Sequence, residues 1–88
     1  MKGQYSEKKN TESTDTFPRK LILYNSNHTW DDVLNQLELA TGYDMLHCEQ
    51  IAIIAHTKGK AVVKSGDLEE LEPVNSVLKE IRLITEIE

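Results

Sequence analysis

Apolar side chains first gather at Arg19–Tyr24, RKLILY, a short run bounded by Pro18 and Asn25. A run of that length between such boundaries predicts a strand. Beyond it the period changes. Trp30, Val33, Leu34, Leu37 and Ala40 recur at helical spacing and leave Asn35, Gln36 and Glu38 outward. Thr29 and Asp32 supply the hydroxyl-x-x-acid signal of a helix start, with Asp31 and Asp32 in its electropositive first turn. Gly42 suits the cap at its end. A second helix opens at Asp44 and carries Met45, Cys48, Ile51, Ala52 and Ala55 on one stripe. Ile53 and Ile54 extend the apolar surface round the back, which predicts this helix to be the buried one. It ends at Gly59.

Lys60–Lys64, KAVVK, is strand-like, and Ser65-Gly66 turns the chain. Asp67 with Glu70 repeats the capping signal ahead of Leu68, Leu71, Val74 and Leu78. Pro73 interrupts this pattern, because an interior proline removes a backbone donor and clashes one turn back. We therefore expect one turn to end near Leu71 and the main helix to begin with Pro73 in its first turn. In the closing stretch Ile81, Leu83 and Ile87 alternate with Arg82, Glu86 and Glu88, which predicts a strand with one wet face. The order strand, helix, helix, strand, helix, strand implies an α+β fold. It is a two-layer sandwich, a small three-stranded antiparallel sheet with helices on one face.

The chain of 88 residues makes one small domain, and its start differs from the rest. MKGQYSEKKNTESTDT has no branched aliphatic side chain, many hydroxyls and mixed charge, too little to offset its ordering entropy. We expect residues 1–18 to form a flexible tail and residues 19–88 the core domain. The start lacks the apolar run of a signal peptide, and no later stretch is long enough to span a membrane. Net charge is −5, from ten Lys plus Arg against fifteen Asp plus Glu. That balance argues against binding a phosphate backbone. A single cysteine, Cys48, excludes an internal disulfide and fits a reducing compartment. The expectation is a cytoplasmic monomer with no nucleic-acid or membrane partner.

Little in the chain promises bond-making chemistry. The glycines are scattered singly, and GxSxG, HExxH and CxxC are all missing. A metal site would need His47 and Cys48 with His28 or His56, yet adjacent helical residues point about a quarter-turn apart and rarely share one ion. We expect no enzyme, no cofactor and no metal. Cys48 reads as a small hydrophobe, and Asp67, Glu69, Glu70 and Glu72 as a solvated face. Trp30 reads as a core anchor, and His56 as a capping histidine held by the dipole of the second helix. More telling is LYNSNHTWDD, Leu23–Asp32. Two amides and a hydroxyl in a row are more donors and acceptors than a turn requires.

That strand with YNSNHT behind it, and a second helix ending in AHTKGKAVV, resemble the ClpS adaptor family from Arg19 onward. The family reads Asn-Asp-Asp-x-Thr at the first place and His-x-x-Gly-x-Ala at the second. The resemblance implies a non-enzymatic adaptor. Such an adaptor binds proteins through a bulky hydrophobic first residue, the N-degron, and delivers them to the N-terminal domain of a Clp AAA+ unfoldase and its protease. It implies that Asn25, Ser26, Asn27 and His56 receive the N-terminal amine, and that Thr29, Val33, Ala52 and Ala55 line the slot for the first side chain. Partner docking falls to Glu69 and Glu70, at the start of the third helix.

Departures from the family pattern carry their own expectations. Ser26 and Asn27 stand where the family has two acids, so the amine meets no carboxylate from this turn. Ala52 aligns with a methionine that narrows the family's slot, and Ala55 with a valine. The result is either a roomier slot, open to Trp or β-branched first residues, or one filled by the protein's own side chains. A leucine that the family offers to the slot falls at Arg82 or Leu83. The alternative is an interaction module of the same fold that has lost its amine pocket. Asn25 then merely ends a strand, and His56 merely caps a helix.

Overall fold

The computed structural model describes residues 18–88. The expected tail, residues 1–18, lies outside the described residues except for Pro18. The elements are β1 (Arg19–Tyr24), α1 (Trp30–Thr41), α2 (Met45–Lys58), β2 (Lys60–Gly66), α3 (Leu68–Lys79) and β3 (Thr85–Ile87), in the order expected. β1 is central and antiparallel to both neighbours, giving the sheet order β2-β1-β3. Leu21 and Leu23 point from β1 into a core that includes Ala61 and Val63 of β2, Leu37 of α1, Ile51 of α2 and Leu71 of α3. The fold is the expected α+β sandwich. Among the described residues no helix is long and apolar enough to cross a membrane.

The capping signals act as written. Thr29 accepts from the Asp32 N–H at 3.2 Å, and Asp44 from the His47 N–H at 2.9 Å. Gly59 ends α2 at φ 93°, a left-handed backbone that costs glycine nothing. Its carbonyl then accepts the Asn25 N–H at 2.9 Å, pinning the end of β1 to the end of α2.

The structure corrects several expectations. β2 runs on through Ser65 and Gly66, which pair with Lys20 and Arg19. A register shift opposite Leu21 and Ile22 takes up an extra residue and lets the ladder continue. α3 is continuous through Pro73. The carbonyl that loses its donor there belongs to Glu69; both residues are exposed, so water can serve it. α2 is buried on one stripe only, Cys48, Ile51, Ala52 and Ala55, while Ile53 and Ile54 are 50% and 42% exposed. Its neighbours are β1, β2 and α1, and nothing among the described elements covers its back.

Gln36 points inward rather than out and is 7% exposed. Its amide donates to the Val77 carbonyl at 2.7 Å and to the Glu80 carboxylate at 3.3 Å. The Val77 carbonyl also accepts the Glu80 N–H at 3.1 Å, so the donor from α1 fills its second lone pair in the last turn of α3. The closing strand is also shorter than expected. Arg82 donates to the Lys79 carbonyl and Leu83 to the Leu78 carbonyl, with Arg82 at φ 63°. This pair of bonds is a Schellman closure, with arginine in the left-handed position that glycine usually takes. Leu83 is buried by that turn, against Leu78, and the ladder to β1 begins only at Ile84.

Candidate functional site

A cavity of about 340 Å³ opens where the end of β1, the last turns of α2 and the turn before β3 converge. That volume suits a small ligand or a single large side chain. Its inner wall is apolar. Leu23, Ala52, Ala55 and Leu83 line it and are each at most 4% exposed, with Val33 beside them. Exposed Asn25, Asn27 and His56 stand at its mouth, with Ser26 and His28 half-buried between. The cavity is open, and no side chain of the described residues fills it.

Each of these positions follows from the local fold. The last turn of α2 carries His56, and the bond from Asn25 to Gly59 draws that turn toward the end of β1. In the loop, the Asn25 carboxamide oxygen accepts the Ser26 N–H at 3.0 Å. Ser26 Oγ lies 2.8 Å from His28 Nδ1 and also accepts the His28 N–H at 3.4 Å. His28 Nε2 meets the Ile81 carbonyl, which can only accept, so Nε2 carries a proton. In the neutral ring Nδ1 is then an acceptor, and the Ser26 hydroxyl donates to it. His28 thus ties the loop to the closing turn of α3. Tyr24 donates to the Glu86 carboxylate at 2.6 Å, and this bond holds the phenol pKa above its ordinary value.

The cavity therefore offers an apolar interior and a mouth of uncharged acceptors. Asn25 Oδ1 keeps a second lone pair, Ser26 Oγ keeps one, and Asn27 supplies a further carbonyl. Among the described residues the His56 ring has no hydrogen-bond partner, so a neutral His56 presents a free nitrogen lone pair. None of the lining residues is an acid. A protonated amine has three donors, and these groups can receive them by dipole alone.

Of the expected site residues, the structure brings Asn25, Ser26, Asn27, Val33, Ala52, Ala55 and His56 to one cavity. Thr29 is not on its wall; its hydroxyl caps α1. Leu83 lines the cavity and so occupies the place that the sequence left between it and Arg82. Trp30 is no core anchor: it stands 43% exposed at the cavity. Tyr24 and His28 went unforeseen as lining residues, although both flank the asparagine loop. Glu69 is exposed, whereas Glu70 is engaged in a capping box, exchanging bonds of 3.0 and 3.1 Å with Asp67. Among the described residues no group of three or more His, Cys, Asp or Glu could hold a metal ion. His47 instead stacks on Tyr43, with ring centroids 4.0 Å apart.

Residues 15–82 match the family described as ATP-dependent Clp protease adaptor protein ClpS. Among solved structures, the chain is similar to Agrobacterium tumefaciens ClpS2 bound to L-phenylalaninamide. The TM-score is 0.70 at 22% identity, over 81% of this chain and 94% of that one. At that identity the likeness shows a shared fold. No curated protein matches.

Proposed function

The chain belongs to the ClpS family of Clp protease adaptors, and from that membership we propose that it binds proteins whose first residue is large and hydrophobic. In this reading the first side chain enters the apolar cavity. The free α-amino group meets Asn25, Ser26 or Asn27, and His56 at the mouth. The bound protein passes to a Clp AAA+ unfoldase, with residues 1–18 as the engaging tail. Exposed Glu69 belongs to the partner surface, while Glu70 serves the fold of α3.

The observation that carries the reading is an open apolar cavity with acceptors gathered at its mouth. A filled slot would have favoured a docking module that had lost its amine pocket, and the open cavity supports binding instead. The L-phenylalaninamide bound by the Agrobacterium protein, a hydrophobic side chain with a free amine, has the same chemistry. Charge-assisted bonds to the amine are each worth about 1.5–3 kcal/mol, and they need no carboxylate. Lacking one, the site binds more weakly than an acid-bearing site.

The test is an amide-shift titration with peptides beginning with Leu, Phe, Tyr, Trp or Ile, each paired with its N-acetylated form. Shifts at Asn25, Ala52 and His56 that vanish on acetylation are the expected result. No shift with any peptide at about millimolar concentration, near 4 kcal/mol of affinity, sinks the reading.

A further inference from the structure

Beside the main cavity lies a second, more open groove that shares Ser26, Asn27 and His28 with it and is completed by Arg82 and Ile84. The two hollows are therefore neighbours along one wall, the asparagine loop. A chain whose first side chain fills the main cavity places its next residue about 3.3–3.6 Å further on, beside that loop.

Arg82 is the charged side chain lining this groove. Its position is imposed: it holds the left-handed point of the turn that closes α3, an arrangement that costs a residue with a Cβ. No hydrogen bond or ion pair among the described residues engages its guanidinium. Glu80 accepts from Gln36 and Glu86 from Tyr24, and neither is bonded to Arg82 among the described residues. A cation so placed also works against a bound amine, unless the ligand brings its own negative charge. Guanidinium matches carboxylate geometry with two parallel donors.

The geometry points to a second subsite in which Arg82 selects an acidic side chain, Asp or Glu, at the second position of the bound protein. This assignment rests on the proposed binding of a hydrophobic first residue, and it narrows the substrate class. Proteins that begin with a bulky residue followed by an acid are bound best. Those with Lys or Arg in second place are bound worst.

The experiment measures affinities of full-length protein for peptides identical except at position two, carrying Glu, Asp, Gln or Lys after Phe. Wild type is compared with Arg82→Gln and Arg82→Gly, the latter suited to the left-handed backbone and so a control for folding. Glu and Asp peptides should bind wild type about three- to tenfold more tightly than the Gln peptide. That gap should shrink as salt is raised. It should close in both variants, while affinity for the Gln peptide holds or rises, since the cation that opposes the amine is gone. Equal affinities for Glu and Gln in wild type, or a gap that persists in both variants, overturn the subsite alone. If the Gln peptide fails to bind at all, with or without acetylation, the main cavity reading falls and the subsite with it.

Discussion

Cys48 carries its thiol into the core, and burial pushes its pKa above the ordinary value, helped by the carboxylates of Glu38, Asp44 and Glu49. Native protein should therefore resist a thiol-specific disulfide reagent and react only as it unfolds. A folded-state pKa raised above the unfolded one has a fixed sign. Its stabilising contribution is complete below the unfolded thiol pKa and is lost as pH rises through the folded value. A denaturant series above the ordinary thiol range, with Cys48→Ala as reference, reads that loss. His56→Ala should remove one acceptor from the cavity mouth and lower peptide affinity by about 1 kcal/mol in a direct titration, with the fold unchanged. Ala52→Met should leave the fold intact and fill the cavity. Affinity for peptides beginning with Trp should drop by about 1–3 kcal/mol in a direct titration, the usual cost of overpacking. The placing of Asn25 and His56 at one cavity was legible, because each stands at the end of an element with a local end signal. Trp30 and Gln36 were misread because helical period fixes a direction from the axis and not what stands opposite. The partner of Gln36, Val77, is 41 positions away.

Elements were legible to the extent that they announce their own ends. Thr29 and Asp44 each cap the helix they were expected to cap, since that bond spans three residues, while Asp67, expected to cap a single turn, caps the whole of α3. Pro73 misled because propensity sees the missing donor but not the solvent that serves the orphaned carbonyl. Arg82 misled in the opposite sense, as an apolar alternation continued straight through a left-handed turn that no glycine marks. Gly66 shows how two elements come to share one position. A Cβ built on it would collide with the Glu70 carboxylate that closes the capping box of α3. Gly66→Ala should displace that carboxylate and lower stability by about 1 kcal/mol, measured by urea unfolding. In a Glu70→Ala background the same substitution should cost much less, because the obstacle is gone.

At the scale of the molecule, the element order and the α+β sandwich were legible from periodicity alone, and the antiparallel sheet from the layer rule that unites them. The cavity itself was not, because a void is a property of what surrounds it. Ala52 and Ala55 announced missing volume, but only the course of β1 and the turn at Leu83 decide that the space stays open. Its wall is assembled from Leu23–Asn27, from Ala52–His56 and from Leu83, segments that meet only when β1, α2 and the closing turn of α3 are all in place. An unfolded chain has nothing with which to hold the same ligand. Any occupant thus acts as a removable cross-link between distant parts of the chain. At a hundred times its dissociation constant it should add about 2.7 kcal/mol to stability, visible as a concentration-dependent rise in melting temperature that the acetylated peptide does not produce. The same linkage runs backward. Whatever loosens the chain on the ligand-bearing molecule, from either end, also lowers its grip, so release of cargo and partial unfolding of its carrier are two readings of one equilibrium.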